Sequence, residues 1–318
     1  PPSSNQGRRT MADNGYPPVP DVLEQWRSEG TVKDINGHQI FIHTSGPDSG
    51  DGRGVLIIHG YPGSSWDWQG VVEHIGDKAR VVVSDMRGFG LSEKPLDGTY
   101  QSNYTLQLQA DIYEGVAREE GLTSVVLVAH DMGQSVGLEL MARQEEGRLP
   151  FRIRHSILTD GSTLVDMIQL ADMQKKLLAQ PDVAATEDLN FGDFMDGLRP
   201  TFGTDFTASG GLDEALVAQA HQVFYNHGSR VQAQILRYLK ERKETFDRWS
   251  RTFFTFQSAP MSLLWGVEDP VAVIAMADRV KKERPYTDLY KLQGVAHWPS
   301  IEVPEYFGDA IIARLDSV

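Results

Sequence analysis

The stretch VVLVAHDMGQSVGLEL, residues 125–140, decides the fold. Its first five residues are apolar without a break, the pattern of a strand covered on both faces. The spacing then turns helical, which leaves Asp131 at the point where a buried strand breaks into a helix. Aspartate at a helix start most often satisfies orphan N–H groups there, so a cap is the first reading. The flanks favour another. Ala129, Asp131 and Gly133 fit a small-x-nucleophile-x-small pattern, related to the G-x-S-x-G elbow, whose small residues permit a sharp turn that lifts one side chain above the sheet.

The same rhythm extends in both directions. QIFIHTSG (39–46), GVLIIHG (54–60), ARVVVSDMRG (79–88) and RIRHSILTDG (152–161) read as further strands, and TLQLQADIYEGVAREEGL (105–122) as a helix closed by glycine. Such alternation predicts βα units around a mostly parallel sheet. Residues 161–258 are helix-rich without a strong strand signal. APMSLLWGVEDP (259–270) and PYTDLYKLQGVAHW (285–298) then resume the strand pattern. We therefore expect an α/β core over 21–160 and 259–318, a helical insertion over 161–258, and a loose polar tail over 1–20.

Bulk properties limit the chemistry. At 318 residues with 40% hydrophobic content the chain can bury a sizeable core. A formal net charge of −14 argues against nucleic-acid or anionic-membrane partners, which need a basic field, and favours a small-molecule substrate. Cysteine is absent, so thiolate nucleophiles, disulfides and the usual zinc spacings are excluded. No run approaches the roughly 20 apolar residues of a membrane span, and the first residues lack the order of a secretory leader. A cytoplasmic monomer or homodimer without metal or cofactor is expected.

An elbow nucleophile needs oxyanion donors, a base and a group that orients the base. Met132 supplies the N–H that follows the nucleophile, and the turn after GVLIIHG could aim the Tyr61 N–H at the same spot. His297, in GVAHWPSIEVPE (294–305), and Asp269, in LLWGVEDP (263–270), follow in the chain order nucleophile, acid, histidine. Glu268 and Asp160 are rival acids. His59 reads as a turn-stabilising histidine, and the charges of LKERKETFDR (239–248) as a solvated helix face.

Taken together, HGYPGSSWDW (59–68), DMRGFGLSEKP (85–95), AHDMGQ (129–134), WGVEDP (265–270) and AHWPSIEVPE (296–305) resemble the aspartate-nucleophile branch of the α/β-hydrolase superfamily, which contains epoxide hydrolases and haloalkane dehalogenases. ILRYLKERKETFDRW (235–249) resembles the insertion of mesoderm-specific-transcript-like members. The resemblance implies an α/β-hydrolase fold with the insertion as a cap, and a covalent ester on Asp131 released by water that His297 activates.

Halide release would call for N–H donors where Met132 and Tyr61 stand, with Trp249 the only tryptophan of the insertion. Epoxide opening needs a proton for the departing alkoxide, a task the resemblance to epoxide hydrolases gives to phenols of the cap, where the tyrosines are Tyr238 and Tyr225. The expected activity is hydrolysis of an apolar epoxide to a vicinal diol. The alternatives are a dehalogenase-like enzyme and a ligand-binding homologue without turnover. Met167 and Met173 are candidates to line a cavity or fill core gaps.

Overall fold

The computed structural model describes residues 15–317. Eight strands form one sheet: β1 (Thr31–Ile35), β2 (His38–Ser45), β3 (Arg53–Ile58), β4 (Val81–Ser84), β5 (Ser124–His130), β6 (Arg152–Thr159), β7 (Met261–Gly266) and β8 (Asp288–Leu292). Their spatial order is β1-β2-β4-β3-β5-β6-β7-β8. β2 runs antiparallel to both β1 and β4, and every other pair is parallel.

β1 lies ahead of the strands expected from the sequence, of which β2 is the first. That strand turns into β2 through Asn36 and Gly37, at φ 54° and 85°. Two consecutive positive φ values are what a tight hairpin requires, and Asn-Gly is the pair that supplies them.

Period-two geometry explains why the central strands are apolar at every position. Leu56, Ile58, Leu127 and Ala129 pack into one core with Leu138, Phe253 and Met276. Val55, Ile57, Val126 and Val128 face the opposite way, into a second core with Trp26, Val71, Phe307 and Ile311. Helices thus cover both faces, and the parallel strand ends point to one rim, where ligands of open α/β sheets bind.

Between β6 and β7 the described chain forms only helices. Its last helix, Phe246–Thr255, does not ride above the sheet. Trp249 Nε1 and Arg248 Nε donate to Glu139 Oε2 at 2.9 and 2.7 Å, joining that helix to the elbow helix Met132–Glu145 in the core layer. The last helix of the expected insertion is thus tied to the elbow helix through Glu139.

The charged face expected of 239–248 holds for Lys240, Lys243, Glu244 and Asp247, with Lys240 paired to Glu244 at i,i+4, but not for Arg242 and Glu241. Arg242 is buried, and Glu241 accepts from the Leu106 N–H at 2.7 Å. Of the tail, residues 1–14 lie outside the described chain. Its end is packed: Tyr16 stacks on Phe191 at 4.6 Å, and His221 Nε2–H donates to the Pro17 carbonyl at 2.7 Å. Among the described residues no helix is long and apolar enough to cross a membrane.

Glu139 is the hub of this layer. It is fully buried and also accepts from Arg143 Nε at 2.9 Å. Glu139→Ala would leave the buried Trp249 indole N–H without its acceptor and take one carboxylate from each of Arg143 and Arg248, which keep Asp111, Glu114 and Glu146. Breaking such a buried cluster by removing one partner is expected to cost about 3–5 kcal/mol, read as a lowered denaturation midpoint at unchanged slope.

Candidate active site

The β5 turn places Asp131 at φ 50° and ψ −115°, a conformation that L-residues avoid and that persists only where the surroundings enforce it. The surroundings are tight. A β-carbon at Gly133 would lie 2.3 Å from the His59 carbonyl oxygen, and one at Gly60 would lie 2.6 Å from the Asp131 β-carbon. Only glycine lets these two turns approach, which is why small residues flank the elbow.

The Asp131 side chain does not cap its helix. Instead Oδ1 accepts the Tyr61 N–H at 2.8 Å, and Oδ2 lies 3.5 Å from His297 Nε2. On the far side of the imidazole, Nδ1–H donates to Asp269 Oδ2 at 2.8 Å. Asp269 Oδ1 in turn accepts the Val271 and Ala272 N–H groups at 2.7 and 3.0 Å. Met132 opens the helix, so its N–H is among those that lack an intrahelical acceptor.

Electrostatics follows from this arrangement. Burial alone would raise the Asp131 carboxyl and lower the His297 imidazole. Asp131 nonetheless ends well below the usual carboxylate range, because His297 bonds to it and Arg242 lies close. His297 ends well above the usual histidine value, because Asp269 and Asp131 flank it.

The rival acids separate cleanly. Glu268 turns away and accepts from Thr204 N–H and Oγ1–H, both at 2.8 Å. Asp160 stays, buried at the end of β6 and in hydrogen-bonding contact with Asp269. His59 has the structural role expected of it: Nδ1–H donates to the Gly60 carbonyl and Nε2 accepts the Met86 N–H, both at 2.9 Å.

Two neighbours escaped the sequence reading. His130 Nε2–H donates to the His297 carbonyl at 2.7 Å and so fixes the histidine loop; burial holds its pKa down to about 4. Arg242 comes from the insertion. Its Nη2 donates to the Asp131 backbone carbonyl at 2.7 Å, its Nε donates to Ser135 Oγ at 2.6 Å, and its guanidinium lies 4.7 Å from the centre of the Tyr238 ring. No periodicity marks this residue, since only the tertiary fold brings helix Tyr238–Glu244 onto the elbow.

The two insertion tyrosines part company. Tyr238 is buried, and its ring centre lies 5.9 Å from that of Tyr61. Burial and then the Asp131 charge raise the Tyr238 phenol, keeping it protonated. Tyr225 is 44% exposed, and its ring packs against Arg27 and Lys94 at 5.1 and 5.3 Å. It is removed from the site. Trp249, bonded to Glu139, is likewise unavailable as a halide donor.

Met173 lines a cleft of about 760 Å³ in the insertion together with Leu177, Leu189, Phe194 and Ala233. Met167 and Met173 both pack against the core. Asp131 itself is 2% exposed, enclosed beneath the insertion.

Residues 54–304 match the family described as alpha/beta hydrolase fold, and the chain belongs to that family as one of its hydrolases. Among its relatives, LipZ of Mycobacterium tuberculosis is 33% identical over 92% of this chain and 98% of its own length. The human mesoderm-specific transcript homolog protein is 28% identical over 95% of this chain and 90% of its own. Epoxide hydrolase 1 of Caenorhabditis elegans is 26% identical over 95% and 74%. A solved haloalkane dehalogenase from Bradyrhizobium elkani superposes with a TM-score of 0.69 at 19% identity, covering 91% of this chain and 98% of its own, a likeness of fold.

Proposed function

We propose that the protein hydrolyses an apolar epoxide to a vicinal diol through a covalent ester on Asp131. One observation carries the reading: the two oxygens of Asp131 are held differently, Oδ1 by the Tyr61 N–H and Oδ2 beside His297. A carboxylate so fixed has one oxygen anchored where an oxyanion will form and the other presented for attack.

Oδ2 attacks an epoxide carbon, the carbon–oxygen bond of the ring breaks, and the departing alkoxide takes the Tyr238 proton. Water then attacks the Asp131 carboxyl carbon while His297 accepts its proton, with Asp269 fixing the imidazole tautomer. The tetrahedral oxyanion on Oδ1 is held by the Tyr61 and Met132 N–H groups. Its collapse expels the diol, which takes the proton from His297, and the second water proton restores the phenol.

The electrostatics favour this sequence. Esterification neutralises Asp131 and so removes one of the two charges that raise His297; the imidazole becomes a base when a base is needed. The acid limb of kcat is therefore expected below the pH at which His297 titrates in the free protein by NMR. Coincident values would contradict the assignment.

Epoxide rather than halide is favoured because Tyr238 offers a proton, whereas Met132 has no side-chain donor and the Trp249 indole is engaged by Glu139. Tyr238→Phe is expected to slow ester formation about 100-fold and leave ester hydrolysis nearly unchanged, as pre-steady-state kinetics with styrene oxide would resolve. The decisive experiment is a single turnover in oxygen-18 water followed by peptide mass spectrometry. Label in the Asp131 carboxylate is the expected result, and its absence overturns the covalent route.

A further inference from the structure

Two carboxyl groups, not one, stand behind the imidazole. Asp160 ends β6 and Asp269 follows β7, its parallel neighbour, and both are buried. The Gly266 peptide units tie them together: its N–H donates to Asp160 Oδ1 at 3.0 Å, and its carbonyl accepts the Asp269 N–H at 3.4 Å. The two side chains are in hydrogen-bonding contact. Asp160 is held there at φ 47°, a left-handed conformation unfavourable for a residue other than glycine.

Adjacent buried carboxyls cannot both ionise, because like charges at contact in a dry interior repel too strongly. The partners decide which one keeps the charge. Asp269 accepts two N–H groups and the imidazole N–H, whereas Asp160 accepts one N–H and the Thr159 hydroxyl, the latter at 2.6 Å. The other titratable groups of this neighbourhood are His297 beyond Asp269, with Asp131 and His130 behind it.

We infer that Asp160 is a protonated positioning residue: it donates its proton to Asp269, so that the acid of the triad is a pair of carboxyls sharing one proton and holding one charge behind His297. The inference rests on reading Asp131, Asp269 and His297 as the catalytic set. It assigns Asp160 two tasks. It fixes the rotamer of Asp269, and it withholds a second negative charge that would keep the imidazole protonated when a base is required. Burial, and then the nearby Asp269 charge, raise Asp160 well above the carboxylate range, while Asp269, facing the imidazole, is lowered.

Two variants separate the donor from the charge. Asp160→Asn keeps a carbonyl for the Gly266 N–H and an amide donor for Asp269. It is expected to lose no more than about threefold in kcat, with an unshifted pH profile. Asp160→Ala removes the donor, and is expected to lose about 100-fold in kcat with little change in KM and to move the acid limb upward by about one pH unit.

A substrate-free measurement accompanies them. Infrared spectra of the wild-type protein at neutral pH should contain a protonated-carboxyl stretch that Asp160→Asn abolishes. Absence of that band, or an Asp160→Ala enzyme with wild-type kcat and pH profile, overturns the inference. Because the band is recorded without substrate, it stands or falls separately from the epoxide reading.

Discussion

Asp131→Ala is expected to reduce turnover by about 10⁵-fold while leaving the protein folded. The magnitude follows from what the side chain would do. An ester intermediate cannot form without the carboxylate, and water in its place would have to attack the epoxide carbon directly, without the entropic advantage of a fixed nucleophile. Folding should survive because the backbone conformation at this position is set by Gly60, Gly133 and the Thr159 carbonyl, which accepts the Asp131 N–H at 3.2 Å.

The variant carries a second signature. With one of its two flanking carboxylates gone, His297 should titrate at lower pH than in the wild-type protein. A folded Asp131→Ala enzyme that turns over within tenfold of wild type would remove Asp131 from the chemistry, because loss of the attacking atom costs several orders of magnitude.

His297→Gln divides the reaction at its middle. Nothing in ester formation needs an imidazole base, so the first half is expected to proceed. The second half loses the group that deprotonates water, for which about 10²–10⁴-fold is the usual cost. The enzyme should therefore give one equivalent of ring opening per active site and stall, with the Asp131 peptide heavier by the mass of the epoxide. Stalling without an adduct would place the bond elsewhere. Asp269→Asn should accumulate the same adduct less completely, since the imidazole remains but its tautomer is no longer fixed.

Local signals carried most of the fold and the linear part of the site. Apolar stretches bounded by turn residues mark seven of the eight strands; β3, β4 and β5 are apolar at nearly every position because they are buried on both faces, whereas β8 is largely exposed and is marked only by its alternation. The eighth, β1, alternates and is mostly exposed, so its pattern is weaker than the Asn-Gly turn that ends it. Asp131, Asp269 and His297 were legible because each follows a strand, and strand ends of a parallel sheet share one rim.

What could not be read is what the insertion does. Arg242 sits among charges at helical spacing, a pattern that a solvated face would show equally well, and only packing against the elbow buries it. Tyr225 and Tyr238 differ by whether a helix side faces solvent or the core, and short helices with a kink between them fix no common face. Asn226 and His227, both at positive φ, supply that kink. Asp160 was weighed as a substitute for Asp269; the sequence offers no sign that the two would stand side by side.

The hydrogen bond from Arg242 to the main-chain oxygen of Asp131 pins a segment more than a hundred residues away in the chain to the elbow. One side chain of helix Tyr238–Glu244 thus gives the strained bend one of its fastenings and the carboxylate a neighbouring cation.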